Sequence, residues 1–227
     1  MSQPIKIFVI NLKNEFDRRE HIVNELKKLN LRFEIYFAKK GSELSKKEIA
    51  LYSKKEAFKN ENRDLSLDEI SCALSHIKIY KKIVETKYKL SLILEDDVVI
   101  NKNLLNIFKN LNKFPKNWEL INFYTNARKK NLGRKVYANY QCVKFKERAN
   151  RTCSYLIKIK TAEKLLKFAL PIRFPADGLT GRNDLTNIHS YGLKPDIIKI
   201  KDFPTTIKNR NSLLGKYQLI SWIRKIF

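Results

Sequence analysis

Three consecutive acidic residues, Glu95-Asp96-Asp97, directly follow an apolar run at residues 90–94. Adjacent carboxylates repel one another unless a cation lies close to them. A hard divalent ion relieves this repulsion when one or two carboxylates bind it and diphosphate oxygens and water complete its shell. The alternative is a solvated loop in which the acids pair with some of the many lysines. Alternate side chains of a strand share a face, so we expect Glu95 and Asp97 to point together and Asp96 elsewhere.

The segments that must position this triplet alternate between strand and helix patterns. Short apolar runs predict strands at residues 5–10, 33–37, 90–94, 120–124, 152–159 and 197–200. Helical spacing of apolar residues predicts helices at residues 16–29, 66–85, 101–112 and 162–168, a charged helical pattern covers 45–62, and 171–181 is expected to be a loop. This order predicts an α/β fold with a mainly parallel sheet flanked by helices. Ligands of such sheets bind at the carboxyl ends of strands, where the triplet lies.

Composition limits the class of protein and of partner. The chain has 227 residues, 43% of them apolar, which is enough to bury one substantial core. Its formal charge of +24 favours anionic partners such as phosphates, acidic lipids or nucleic acid, although a coding bias towards lysine would give the same value. The three cysteines lack metal-ligand spacing and predict reduced thiols in a cytoplasmic protein. No apolar run is long enough to span a bilayer.

We divide the chain into a domain at residues 1–202 and a basic amphipathic segment at 203–227. The segment contains no acidic residue, and its apolar residues follow a helical period. Such a helix can lie on an anionic membrane surface, pack on the domain, or form an oligomer contact. These three alternatives stay open, as does the oligomeric state.

The triplet and its surroundings resemble glycosyltransferase family 25, the lipooligosaccharide galactosyltransferase family that also includes collagen galactosyltransferases. The resemblance rests on ordered segments at residues 9–12, 67–76, 92–98, 152–157 and 175–177. There are departures from the family pattern: Arg151 stands where the family usually has glycine, and Lys40 stands where it has aspartate after Ala38.

The resemblance implies a GT-A-like sugar-nucleotide-binding fold, a UDP-sugar donor and a divalent metal, with Mn²⁺ expected and Mg²⁺ as the alternative. It places the metal on Asp97 first and Glu95 second, and it leaves Asp96 for the donor sugar. A metal that bridges the diphosphate stabilises the charge that develops on the leaving UDP.

Five further residues are predicted to bind the donor. Ser75 and His76 share a helical face with Glu69 and Cys72, and that face is expected to border the nucleotide or a phosphate. For His76 the alternative is a structural histidine with satisfied hydrogen bonds. Asn11 follows the first strand and either holds uracil or is a turn residue. Arg18 either reaches the diphosphate or is an exposed helix arginine, and Ala38 completes the donor set.

An inverting transferase needs a general base that deprotonates the acceptor hydroxyl. Asp177, in the Pro-x-Asp segment, is the leading candidate, and an Asx-type turn at Asp177-Gly178 is the alternative. Asp184 is a second candidate for the base. His189 is considered as a third metal ligand.

Together with the acidic triplet at a strand end, the resemblance implies an inverting glycosyltransferase that moves galactose or glucose from a UDP-sugar to a sugar of a lipooligosaccharide or lipopolysaccharide core. The acceptor is expected to be lipid-linked, with the enzyme in the cytoplasm at the inner face of the bacterial inner membrane. Two alternatives are a metal-dependent nuclease and a non-catalytic protein of the membrane surface. No DNA-binding or RNA-binding signature is apparent, so no nucleic-acid partner is expected.

Overall fold

An eight-stranded sheet forms the centre of the computed structural model, which describes residues 4–128, 130 and 133–204. The strands are β1 (Lys6–Leu12), β2 (Glu34–Ala38), β3 (Leu90–Glu95), β4 (Val98–Ile100), β5 (Leu120–Asn122), β6 (Arg134–Tyr137), β7 (Tyr140–Val143), β8 (Ser154–Lys158), β9 (Ser190–Lys194) and β10 (Ile198–Ile200). The helices are α1 (Phe16–Lys28), α2 (Lys46–Ile49), α3 (Lys54–Glu61), α4 (Leu67–Glu85), α5 (Leu104–Lys109), α6 (Ile159–Ala169), α7 (Ala176–Gly181) and α8 (Asn183–Thr186). Short 3-10 helices lie at Gly41–Glu43 and Leu111–Lys113.

The strand order is β2-β1-β3-β8-β5-β9-β7-β6, and β4 pairs separately with β10. Within the large sheet all strands except β7 and β8 run in the same direction. The prediction of an α/β fold with a mainly parallel sheet is therefore confirmed. The register aligns Ile10 with Glu95 and Leu12 with Ala38. The carboxyl ends of β1, β2 and β3 consequently meet at one edge of the sheet.

Helices cover both faces of the sheet. Successive side chains of each strand point to opposite faces, so each strand contributes to a core on either side. On β1, Ile7 and Val9 belong to the core that includes Ile22 and Leu26 of α1. Their neighbours Phe8 and Ile10 belong to the opposite core, which is built on α4 and α6. The sheet thus separates an α1 layer from an α4 layer.

Helix α4 begins where the sequence predicts. The Ser66 hydroxyl accepts a hydrogen bond from the Glu69 backbone N–H at 3.2 Å, and the Glu69 carboxylate accepts one from the Ser66 N–H at 3.0 Å. This reciprocal arrangement is a capping box, which satisfies two backbone donors that the helix itself leaves without partners. Glu69 also accepts two hydrogen bonds from Arg63, so its carboxylate has a structural role.

The structure differs from the sequence predictions in several segments. Asn11 lies within β1 and does not follow it, and the helix expected at 101–112 is α5 followed by a 3-10 helix. The charged stretch 45–62 forms two short helices, α2 and α3, because each has its own serine N-cap, Ser45 and Ser53. The expected loop at 171–181 contains α7, which starts after Pro175. Strands β4, β6, β7 and β9 were not predicted.

The predicted C-terminal segment 203–227 lies, beyond residue 204, outside the described residues. Among the described helices, none is both long and apolar enough to cross a bilayer.

Candidate active site

The acidic triplet lies at the carboxyl end of β3. Glu95 is the last residue of the strand, and Asp96 and Asp97 form the turn that leads into β4. The Glu95 N–H donates to the Cys153 carbonyl at 2.8 Å, and the Lys201 N–H donates to the Asp97 carbonyl at 2.7 Å. Backbone hydrogen bonds therefore fix both ends of the triplet.

Asp96 is buried on the α1 side of the sheet, where two side chains hold its carboxylate. Asn11 Nδ2 donates to Asp96 Oδ2 at 2.8 Å, and Arg18 Nε donates to Asp96 Oδ1 at 2.7 Å. Asn11 is 1% exposed and Arg18 is 8% exposed. Arg18 is therefore not an exposed helix residue but a buried counter-ion of the triplet. Burial alone lowers the pKa of Arg18, but hydrogen bonds to Asp96 and the charges of Asp96 and Asp97 raise it above its usual value.

Asp97 has one engaged carboxylate oxygen and one that is open. Arg18 Nη2 donates to Asp97 Oδ2 at 2.9 Å. Asp97 Oδ1 is buried and has no hydrogen-bond partner within the described part of the chain. Burial raises the pKa of Asp97, with Arg18 opposing that shift and Asp96 adding to it. This oxygen has lost its contact with water and has gained nothing in return from the described residues.

Glu95 faces the α4 side of the sheet, opposite to Asp96. Its Oε1 accepts a hydrogen bond from the Thr152 hydroxyl at 3.3 Å. Burial, followed by the negative charges of Asp97 and Asp96, raises the pKa of Glu95 to about 8. We expected Glu95 and Asp97 to point together by strand alternation, but that rule does not apply, because Asp97 lies in a turn. The two carboxyl groups are nevertheless close enough for the charge of Asp97 to act on Glu95.

The donor set of this site fits a hard divalent cation. Carboxylate oxygens are the ligands that Mg²⁺ and Mn²⁺ prefer. In the described part of the chain, no group donates to Asp97 Oδ1, and the ionisation of the Glu95 carboxyl group is opposed by burial and by its neighbours. A cation at this position would satisfy the first atom and favour the ionised form of the second.

Two consecutive residues, Arg151 and Thr152, connect Asp177 with the triplet by hydrogen bonds. The Arg151 N–H donates to Asp177 Oδ2 at 3.2 Å, and the next residue, Thr152, donates to Glu95. Arg148 Nη2 also lies 4.0 Å from Asp177 Oδ1. The Asp177 side chain is 33% exposed, so a substrate can reach it. Arg151 has a φ of 75°, a left-handed conformation that costs a non-glycine residue about 1–2 kcal/mol.

The remaining predicted residues differ in their burial and in their place in the fold. Ala38, at the end of β2, reaches the same sheet edge as Glu95. Ser75 and His76 are 3% and 1% exposed, so neither offers a surface to a donor in this conformation, and their donor-binding role stays a prediction. Asp184 is exposed and accepts three hydrogen bonds from the Arg182 side chain.

The suggestion that His189 is a third metal ligand is wrong. Its backbone N–H donates to Glu119 at 2.9 Å, at the amino ends of β5 and β9. Those strands run parallel to β3 in direction, so His189 lies at the edge of the sheet opposite to Glu95.

Sequence reasoning missed Arg151 and Thr152 as parts of this site, and it did not foresee that Arg18 pairs with Asp96. One signal was available: Arg151 stands where the resembling family has glycine, which is typical of a backbone position with positive φ.

Comparisons with known proteins come from sequence and from structure. A sequence model of glycosyltransferase family 25 (LPS biosynthesis protein) matches residues 4–180. Procollagen galactosyltransferase 2 of Homo sapiens is 26% identical over 171 residues, which cover 71% of this chain and 27% of that protein. Lipooligosaccharide biosynthesis protein lic2B of Haemophilus influenzae is 26% identical over 168 residues, which cover 70% of this chain and 61% of that protein. The chain thus spans less than two thirds of the length of either relative.

Two solved structures resemble the chain at TM-scores below 0.5. A197 from STIV has a TM-score of 0.46 at 15% identity and covers 91% of this chain and 100% of its own. A Drosophila β1,4-galactosyltransferase 7 mutant in complex with manganese, UDP-Gal and xylobiose has a TM-score of 0.41 at 8% identity. The match covers 92% of this chain and 79% of that protein's chain.

Proposed function

The chain belongs to glycosyltransferase family 25, and on that premise we propose that it transfers galactose or glucose, with inversion, from a UDP-sugar to a sugar of a lipooligosaccharide or lipopolysaccharide core. The observation that carries the proposal is the buried Asp97 Oδ1 beside Glu95 at the carboxyl end of β3, which has no hydrogen-bond partner among the described residues. Ligands of α/β sheets bind at this edge. The family match favours this hypothesis over a nuclease or a non-catalytic protein of the membrane surface.

In this proposal the triplet and Arg18 together bind the donor. Asp97 and Glu95 would hold a Mn²⁺ or Mg²⁺ ion, whose positive charge would stabilise the departing UDP. Arg18 fixes Asp96 and one oxygen of Asp97, which leaves Asp97 Oδ1 directed to the ion. Asp96 is assigned to the donor sugar, which would share a carboxylate that already accepts from Asn11 and Arg18.

The remaining donor contacts are assigned to residues at the same edge of the sheet. Asn11 is the penultimate residue of β1 and Ala38 is the last residue of β2. We assign uracil to Asn11, which is buried and would need to become exposed to contact the base. Arg18 forms ion pairs with Asp96 and Asp97, and it is assigned to the diphosphate in addition to these carboxylate contacts. Ser75 and His76 would take part only after a movement that exposes them.

Asp177 is the proposed general base. Its carboxylate is partly exposed and accepts from the Arg151 N–H, which orients it without removing it from solvent. The adjacent Thr152 contact to Glu95 ties the base to the metal site. A base placed in this way can accept the proton of an acceptor hydroxyl while the sugar is transferred.

The acceptor and the location of the enzyme follow from this assignment. A growing lipid-linked oligosaccharide would present its sugar at the inner face of the bacterial inner membrane, with the enzyme in the cytoplasm. The net charge of +24 and the basic segment 203–227 suit contact with an anionic leaflet.

A panel of nucleotide sugars tests the proposal through metal-dependent donor hydrolysis and transfer. With Mn²⁺ present, we expect one UDP-hexose to be hydrolysed, and Asp97→Asn to reduce the rate at least 100-fold because a metal ligand is lost. Asp196→Asn, the same chemical change at a carboxylate paired with Lys194, is the matched control and should keep wild-type activity. If no nucleotide sugar is bound or hydrolysed, the proposal fails.

Asp177→Asn tests the base separately. The amide keeps an oxygen that can accept from the Arg151 N–H, so the fold should be preserved. We expect kcat for transfer to fall about 10²–10⁴-fold, the usual contribution of a general base, while the KM for the donor stays within about twofold. Unchanged transfer by this variant would show that another group takes the proton.

A further inference from the structure

Three side chains with different donor atoms converge beneath the sheet edge, on the α4 side. Cys72 and His76 are four residues apart on α4 and therefore lie on one face of the helix. Glu95 reaches the same point from the end of β3. Their sulfur, nitrogen and oxygen donor atoms all lie within 4.8 Å of one another.

The imidazole of His76 has one nitrogen engaged and one that is open. Its Nδ1 lies 2.7 Å from the Tyr155 hydroxyl, which in turn lies 2.7 Å from the Tyr80 hydroxyl. The His76 and Tyr155 rings stack with their centroids 5.7 Å apart. Nε2 is buried, and the described residues offer it no hydrogen-bond partner. In the neutral tautomer that donates from Nδ1 to the Tyr155 hydroxyl, Nε2 presents a lone pair.

This arrangement has the features of a first coordination shell. Histidines that bind metal ions usually make a hydrogen bond from their other ring nitrogen, which fixes the tautomer and the ring orientation. The contact from His76 Nδ1 to Tyr155 supplies that constraint, and a ring nitrogen of His76 lies within 4.8 Å of the donor atoms of Cys72 and Glu95. A buried side chain with an open lone pair, next to a thiol and a carboxylate, has the chemistry of a metal ligand.

We propose that Cys72, His76 and Glu95 bind a divalent transition-metal ion of the zinc class, in a site distinct from the hard-cation site at Asp97. Thiolate and imidazole donors select zinc-class ions, whereas carboxylate and phosphate oxygens select Mn²⁺ and Mg²⁺. Three protein ligands leave one position open for water. The site does not rest on the proposed transferase function, although Glu95 is common to both.

To bind a metal ion, the three donor atoms need to move only slightly closer together. Tetrahedral ligands at about 2.0–2.3 Å from zinc lie about 3.3–3.8 Å apart, against the limit of 4.8 Å in the structure. Cys72 and Glu95 are only partly buried, so their side chains have room to rotate, while the buried His76 stays in place. Since Glu95 is shared, an ion in this site also sets the position of one proposed ligand of the catalytic metal.

Cobalt binding tests this site without any measurement of catalysis. The full chain is treated with a chelator and titrated with Co²⁺, and absorbance from thiolate-to-cobalt charge transfer is recorded. We expect a band that saturates at one equivalent and disappears when Zn²⁺ is added. Cys72→Ala should abolish the band. Cys142→Ala, which changes a buried cysteine of β7, should retain it.

Three further variants make the outcome decisive. His76→Gln should abolish the band, and its unfolding temperature shows whether the variant folds. If it does not fold, Tyr155→Phe replaces it, since loss of the hydrogen bond that orients His76 should weaken Co²⁺ binding about 10–100-fold. Asp97→Asn should leave the band unchanged even where donor hydrolysis is lost, so the two proposals can fail separately. Absence of the band in the wild type, or its persistence in Cys72→Ala, would overturn the inference.

Discussion

Replacement of Arg18 by methionine tests whether this arginine stabilises the acidic triplet. Methionine keeps much of the length and the apolar stem of arginine but removes the charge and the donors. In the wild type, Arg18 contacts Asp96 at 2.7 Å and Asp97 at 2.9 Å, with its side chain only 10% exposed. The variant therefore leaves two carboxylates near the sheet edge without the cation that compensates them.

The expected loss of stability follows from the burial of these charges. Breaking a buried ion pair by removing one partner costs about 3–5 kcal/mol, because the remaining charge stays uncompensated. For a protein of this size, each kcal/mol lowers the unfolding temperature by about 2–4 °C. We therefore expect Arg18→Met to lower it by about 6–20 °C. An exposed ion pair would cost under about 1 kcal/mol, so the two cases are easily separated.

Thermal unfolding followed by circular dichroism, with EDTA present, measures this loss. Arg32→Met is the matched control, because Arg32 is an exposed arginine and its replacement should change stability by less than about 0.5 kcal/mol. Added Mn²⁺ should raise the unfolding temperature of Arg18→Met more than that of the wild type, since the ion then neutralises carboxylates that lack their cation.

A double variant distinguishes the charge interaction from lost packing. In Arg18→Met/Asp96→Asn, one of the two uncompensated carboxylates is neutral, so the combined loss should be smaller than the sum of the single losses by about 1–3 kcal/mol. Additive losses, or a shift below about 2 °C in Arg18→Met, would refute the reasoning, since either would mean that Arg18 does not compensate the triplet.

Two other predictions follow from the site. In metal-free protein, the folded state keeps a proton on Glu95, whose pKa is raised to about 8, while the unfolded chain releases it near pH 4.3. The stability of the folded state should therefore fall as pH rises from about 5 to 8. In thermal unfolding with EDTA, Glu95→Gln should show a smaller fall than the control variant Glu163→Gln. An equally steep fall of the unfolding temperature with pH in both variants would contradict this prediction. Arg151→Gly should raise the unfolding temperature by about 2–4 °C, because glycine adopts the φ of 75° without strain. A decrease would show that the Arg151 side chain stabilises the fold by more than the strained backbone destabilises it.

Local sequence patterns were sufficient for the central part of the fold. The β1-α1-β2 unit and β3 are contiguous apolar or amphipathic segments, and their periods can be read without knowledge of distant residues. The capping box of Ser66 and Glu69 spans four residues, so it also could be predicted. The triplet was placed at a strand end because the apolar run stops at Glu95.

The missed elements depend on contacts between distant segments. Strand β9, Ser190–Lys194, contains Gly192 and has little alternation, and it is defined by pairing with β5 and β7. Helix α7 carries two glycines that suggest a loop. A Cβ at Gly181 would lie 2.6 Å from Arg148 Cγ and 2.7 Å from the Ala149 carbonyl, so the glycine allows a close approach of another segment.

The contacts within the candidate site also depend on residues that are distant in sequence. The partners Arg18 and Asp96 are 78 residues apart in sequence, and no local pattern joins them. Burial of Ser75 and His76 likewise follows from how α4 packs on β8, where Tyr155 lies against His76. Residue types and their order were thus informative about chemistry, whereas partners and exposure needed the tertiary structure.

The placement of Glu95 and Asp96 on opposite faces of the sheet has a consequence for how this site can diversify. Asp96 depends on residues of the α1 layer and Glu95 on residues of the α4 and β8 layer. Substitutions that accumulate in one layer can shift one carboxylate while the other keeps its position. Under the roles proposed for Asp96 and Glu95, substitutions in the α1 layer would change the choice of sugar and substitutions in the α4 layer would change the choice of ion, in independent steps.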